Sequence, residues 1–123
     1  MAMNPHMLPK IRSAAMLDAV RDMPCSLRIA SLIPGHKCAG QDTVVPCHMP
    51  TIGKGVATKV SDLFVAAGCL HCHDLIDRRD KRVEWIVERY PTMFAMRLLD
   101  GMAETQARWV GLGLICGTDW EIV

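Results

Sequence analysis

The chain has 123 residues, 50% of them hydrophobic and 22% charged, with a formal net charge of +1. That length suits one domain with a sizeable core, and the composition excludes a disordered or membrane class. No apolar run is long enough to span a bilayer, and the first residues, with Pro5, Pro9 and Lys10, lack the apolar stretch of a secretion signal. The expectation is a soluble, cytoplasmic protein with no membrane partner.

Charge is spread unevenly. Up to Lys37 the chain carries Lys10, Arg12, Arg21, Arg28 and Lys37 against Asp18 and Asp22. From Val83 onward Glu84, Glu88, Asp100, Glu104, Asp119 and Glu121 outnumber Arg89, Arg97 and Arg108. A polyanion would meet the first two thirds of the chain, although a solvated, mixed surface has the same composition.

In chain order, residues 10–22 read as a short helix with Ile11, Ala14, Ala15 and Ala19 on one face, ended by Pro24. Cys25 to Ile29 alternates as a strand does, and residues 31–42 form a turn-rich loop carrying Cys38. Thr43-Val44-Val45 begins a second strand, which Pro46 ends ahead of Cys47 and His48. A loop with Gly53, Lys54 and Gly55 follows. Asp62 is placed to cap the next turn, and Leu63 to Ala67 is an apolar run leading into Cys69. A helix is predicted from Cys69 through Asp77 to about Arg79. Pro91 stands where a first helical turn tolerates proline, and Ala95, Leu98, Leu99, Met102, Gln106, Trp109 and Val110 then recur at helical spacing. The order helix, β-hairpin with a loop, helix, helix makes a small α+β domain.

Six cysteines allow disulfides or a metal site. Disulfides need an oxidising compartment, for which the chain offers no sign. Metal binding needs short-spaced pairs, and Cys69-Leu70-His71-Cys72 is one, with both thiols on one side of a helix start. Cys25 and Cys38, among Pro24, Pro34, Gly35 and Gly40, are placed as a second pair closing a loop. The four thiols are expected to bind one structural zinc ion, and His36 or His71 is able to replace a thiolate. Cys116 is read as an unliganded thiol. A redox role for Cys69 and Cys72 would need those two thiols to be free.

Two further histidines are candidates for chemistry. His73 follows Cys72, and Asp77 lies one helical turn on, so the two side chains share a face. An imidazole and a carboxylate so placed are able to hold a divalent ion with its other positions open to water and phosphate. His48, on a strand against that helix, is then a candidate general base. The alternative is that Asp77 pairs with nearby arginines and His48 is part of the core.

A strand ending in His, a loop, then CxxCH opening a helix resembles the HNH endonucleases. More narrowly, the MNPHMLPKIRSAA, MPCSLRI, PCHMP and GCLHCHDLIDRR segments resemble the small prophage-encoded nucleases of the YbcO type, over roughly residues 3–110. The resemblance implies a zinc-stabilised ββα-metal (HNH-like) domain with flanking N-terminal and C-terminal helices, filling residues 1–123 with a core of about 10–115. It implies a metal-dependent endonuclease that hydrolyses DNA phosphodiester bonds. His48 matches the general base, His73 the metal-binding histidine after CxxC, Asp77 the acidic second ligand, and Cys25, Cys38, Cys69 and Cys72 the zinc site. The catalytic ion would be Mg2+, Mn2+, Ni2+ or Zn2+. Lys59, Arg78 and Arg79 are phosphate-contact candidates by position and charge.

The chain departs from the HNH pattern twice. Cys47 stands where an acidic metal ligand usually precedes the base, and the asparagine before CxxCH is missing, which leaves Asp62 as the nearest polar residue to orient the histidine. The competing reading is a zinc-stabilised DNA- or protein-binding module of phage origin without cleavage activity.

Overall fold

The computed structural model describes residues 9–50 and 60–123. Among them four α-helices surround a two-stranded antiparallel sheet, an α+β arrangement: α1 (Ala14–Val20), β1 (Val45–His48), β2 (Val65–Gly68), α2 (Leu70–Ile76), α3 (Arg82–Arg89) and α4 (Pro91–Gly111).

The sheet differs from the expected hairpin. Val45 pairs with Gly68, Pro46 with Ala67, Cys47 with Ala66 and His48 with Val65. The segment Cys25 to Ile29 is not a strand, because Arg28 takes a left-handed φ of 52° that breaks extended backbone. Pro46 does not end β1 but lies inside it. Its partner Ala67 sends its own N–H and C=O away from β1, to Thr105 and Ser26, so Pro46 sits at a pair where no β1 donor is needed.

The sheet is covered on both faces. Ala66 and Cys47 point to one apolar cluster with Leu27, Ile29, Cys69, Cys72, Leu75 and Ile86. Val65 and Ala67 point to the other, with Met16, Val20, Met23, Val44 and Trp109. Every residue of β2 is therefore buried, which explains a continuous apolar run in place of alternation. Trp109 is fully buried and donates Nε1–H to the Met16 carbonyl at 2.9 Å, tying α4 to α1. Burying a side chain of that size stabilises the fold by about 2–3 kcal/mol.

Both ends of the helical prediction shift. Helix α1 begins at Ala14, where Ser13 caps it by accepting from the Met16 N–H, and it buries Met16 and Val20 rather than Ile11, Ala14, Ala15 and Ala19. Ile11 is 44% exposed. Helix α2 stops at Ile76 with Asp77 as its C-cap, because Arg78 turns left-handed (φ 59°) and the Arg79 N–H closes back on the Asp74 carbonyl. Helix α3 was not predicted. It is two turns long and buries only Val83 and Ile86. Helix α4 begins at Pro91 as expected, but it buries Gly101, Thr105 and Trp109 and leaves Leu99 55% exposed.

Gly101 allows this close approach. A Cβ there would lie 3.0 Å from Leu27 Cδ2 and 3.2 Å from the Ser26 carbonyl oxygen. The Ser26 hydroxyl bonds to the Ala67 and Gly101 carbonyls at 2.9 and 3.1 Å, and Thr105 Oγ1 accepts the Ala67 N–H at 3.0 Å. These buried hydroxyls join the Ser26 loop, β2 and α4. Among the described residues no helix is long and apolar enough to cross a membrane.

Candidate metal centre and two histidine–carboxylate pairs

Cys69 caps the start of α2, and Cys72 lies one turn on, fully buried. Cys25 and Cys38 come from the loops between α1 and β1. The Cys25 and Cys72 sulfurs are 3.7 Å apart, Cys38 is 3.8 Å from each, and all four sulfurs lie within 4.8 Å of one another. A tetrahedral zinc with bonds of about 2.3 Å separates its ligand sulfurs by about 3.8 Å, so the spacing fits that ion. Two backbone amides point at the sulfurs: Ala30 N–H to Cys72 at 3.4 Å and Ala39 N–H to Cys69 at 3.3 Å. Such donors favour thiolates over thiols.

Four thiols this close conflict over their protons. Hydrogen bonds from Cys69 and Cys72 drive Cys25 well below the usual thiol range, while Cys72 is driven far above it by the same exchange with Cys25. Burial, with the neighbouring thiolate charge, pushes Cys38 up to about 12. A bound dication resolves the conflict by stabilising all four as thiolates. Neither His36 nor His71 joins the cluster: His36 meets the Arg82 guanidinium, and His71 Nδ1 lies 3.0 Å from the Lys37 carbonyl oxygen. Cys116 is free and exposed. Cys47 is buried against Gly68 and the Leu27 cluster, on the opposite face of β1 from His48.

His48 ends β1, with its side chain 31% exposed, and its Nε2 lies 3.0 Å from Asp62 Oδ1. Asp62 does not cap the turn that begins there; Ser61 does, accepting from the Leu63 N–H. Instead the Asp62 carboxylate, 4% exposed, accepts the Ser13 N–H on Oδ2 at 2.8 Å and has the Arg12 guanidinium 3.9 Å away. Burial alone would raise its pKa. The His48 hydrogen bond, the Ser13 amide and the Arg12 charge outweigh that and hold it below the usual carboxylate range. An ionised carboxylate only accepts hydrogen bonds, so Asp62 fixes the proton on His48 Nε2 and leaves the Nδ1 lone pair available. The clamping roles of Arg12 and Ser13 were not foreseen. Nothing short of the tertiary fold brings them to Asp62, although a serine directly before an apolar helix was a legible cap.

His73 and Asp77 share the outer face of α2, with His73 Nε2 3.2 Å from Asp77 Oδ2. Two ligands on one divalent ion with bonds of about 2.1 Å lie about 3.0–3.4 Å apart, so this pair fits two neighbouring ligand positions. Among the described residues, the four cysteines are the one group of three or more potential ligands, so His48, His73 and Asp77 do not form a closed three-ligand set. Arg79 reaches to 4.0 Å from Asp77 and is otherwise exposed, as is Arg78. Lys59 lies outside the described residues.

A sheet and helix joined at four clustered cysteines that are able to hold a metal ion, with a histidine–carboxylate pair on each, define a small α+β protein. The chain belongs to the family described as Putative nuclease YbcO, whose model matches residues 11–114. It is 35% identical over 103 residues to Putative nuclease YbcO of Escherichia coli (strain K12), covering 83% of this chain and 97% of that protein. The same figures hold for Putative nuclease ybcO of Enterobacteria phage 82. A solved structure of a putative bacteriophage protein from Escherichia coli K-12 is similar at 28% identity and a TM-score of 0.51, covering 79% of this chain and 98% of that one.

Proposed function

We propose that this chain is a metal-dependent endonuclease of phage origin that hydrolyses DNA phosphodiester bonds in the cytoplasm, with His48 as general base. The observation that carries the proposal is the His48–Asp62 pair. A part-exposed imidazole is held by a buried carboxylate on one nitrogen, with the other nitrogen left as an acceptor. In this reading, Nδ1 of His48 takes a proton from water, and the resulting oxygen attacks the phosphorus while the opposite phosphoester oxygen leaves. Asp62 holds the ring in the required tautomer and stabilises the imidazolium that forms, the part that the missing asparagine would otherwise play.

His73 and Asp77 are the residues proposed to hold the catalytic divalent ion (Mg2+, Mn2+, Ni2+ or Zn2+). When bound there, such an ion supplies positive charge at the scissile phosphate and its leaving oxygen. The chain order β1, β2, α2 supports an HNH-like ββα-metal unit. Helix α2 begins two residues after β2 and packs against both strands, on the face that carries Cys47 and Ala66. The four cysteines are assigned to structural zinc. Lys59, Arg78 and Arg79 are assigned to phosphate contacts, and the whole chain is read as one nuclease domain.

The test is incubation of zinc-loaded protein, free of other metals and then refilled with single divalent ions, with supercoiled plasmid. Nicking that needs an added ion and disappears in His48→Ala supports the proposal. DNA binding without nicking in any ion would instead make the chain a binding module.

A further inference from the structure

Helix α3 exposes its aromatic residues where a solvated helix face usually carries polar ones. Trp85 and Tyr90 are each 38% exposed, although the same helix buries Val83 and Ile86. Their rings meet edge to face, with centroids 5.8 Å apart and planes at 76°, and the Arg89 guanidinium lies 5.9 Å from the Trp85 ring centre. Together with Glu88 these residues line an open surface cavity of about 570 Å³. Neither the proposed cleavage chemistry nor the zinc centre uses any of them.

We infer that this cavity binds an unpaired nucleobase of the nucleic-acid substrate, an inference that rests on the proposed nuclease function. Three features lead to that ligand. Stacking on an exposed indole or phenol suits any base, since every base has a π-face, and guanidinium groups add to such platforms. Arg89 offers a positive charge to the phosphate next to a stacked base. Glu88 is acceptor-only, and a donor that would satisfy it, the Watson–Crick ring N–H of a base, is free only when that base is unpaired. The two aromatics come from the last turn and a half of α3 and the first residue beyond it, so a helix packed on α2 and α4 holds the platform in place. The substrate implied is single-stranded DNA, or DNA with a single-stranded junction or end.

The experiment measures binding of zinc-loaded protein, with no other divalent ion added, to a fluorescently labelled 12-nucleotide single strand and to a hairpin duplex. Trp85→Ala should weaken single-strand binding roughly 5- to 150-fold, the range for losing one stacked base, and weaken duplex binding much less. Trp85→Phe, which keeps a ring, should recover most of the affinity, and Tyr90→Ala should follow Trp85→Ala. An unchanged melting temperature in Trp85→Phe and Tyr90→Ala guards against a folding defect. Equal single-strand affinity in the parent and both alanine variants, or an equal loss for single strand and duplex, would overturn the inference while leaving the nuclease proposal standing. A parent that binds neither form would overturn both.

Discussion

His48 Nε2 and Asp62 Oδ1 stand 3.0 Å apart, one side chain open to solvent and the other sealed beneath it. The carboxylate is fixed from behind by the Ser13 amide, so the position of the histidine depends on where the first helix starts. His48→Ala should reduce plasmid nicking by about a hundredfold or more, with zinc content unchanged and a melting temperature lowered by no more than the loss of one hydrogen bond to Asp62 accounts for. A large fall in melting temperature would make the histidine structural.

Asp62→Asn tests positioning separately from proton transfer. An amide is able to donate to Nε2 and so move the ring proton to Nδ1, which removes the base. Nicking should fall at least about tenfold with DNA affinity unchanged, and the pH–rate profile should lose its acid limb. A rate equal to the parent's across the pH range would show that Asp62 does not orient His48.

The same residue makes a stability prediction with a definite sign. The pKa of Asp62 is lower in the folded than in the unfolded chain, so its contribution is present above the ordinary value of 3.8 and is lost as pH falls through the lowered folded value. Charge-assisted hydrogen bonds of this kind contribute about 1.5–3 kcal/mol. Asp62→Asn should therefore melt below the parent at pH 7, and the gap should close as the pH is lowered past about 4. Parallel melting curves from pH 7 to pH 2.5 would contradict this.

One equivalent of zinc per chain is expected, and Cys69→Ser or Cys72→Ser should unfold the protein. Structural zinc contributes on the order of 10 kcal/mol of coupled folding free energy, comparable to a small domain's total stability. Cys116→Ser should change nothing. Cys47→Ser, although buried, should keep the metal. Elemental analysis of each variant decides the matter.

His73→Ala and Asp77→Ala should each weaken the affinity for the activating divalent ion by at least about tenfold while zinc is retained, because neither side chain belongs to the four-sulfur cluster. Titration of nicking rate against ion concentration reads the shift directly. Loss of zinc in either variant would mean the two sites are not separate.

The four-cysteine cluster was legible because two thiols at short spacing at a helix start make a metal-ligand pattern. Its second pair, Cys25 and Cys38, could be read only from the turn residues around them. The sheet was misplaced for identifiable reasons. The alternation from Cys25 to Ile29 is real, but Arg28 bends the backbone away from a strand, and nothing in the residue type announces that. Pro46 looked like a strand end because its missing donor matters only on the side that pairs. Helix α3 was missed because two buried residues in eight are too weak a pattern against the arginines and glutamates around them. On α4 the spacing was right and the face partly so: Trp109 is buried and Leu98 and Met102 pack on the core, but Ala95 and Leu99 are exposed, and Gly101 and Thr105 are buried by close approach and hydrogen bonding, which an apolar pattern does not register. Asp62 could be placed near the histidine by position alone, but its partners 49 residues away could not.

The hydroxyls of Ser26 and Thr105 also occupy a backbone position on the outer side of β2. A sheet of two strands has two edges, each of which could template pairing with another chain. On β2 the outward amide and carbonyl of Ala67 are already occupied by Thr105 and Ser26, so that residue offers an incoming strand no free partner. On β1 the outward position at Pro46 has no N–H to offer. Thr105→Val leaves the buried Ala67 amide without its acceptor and should lower stability by about 1–3 kcal/mol.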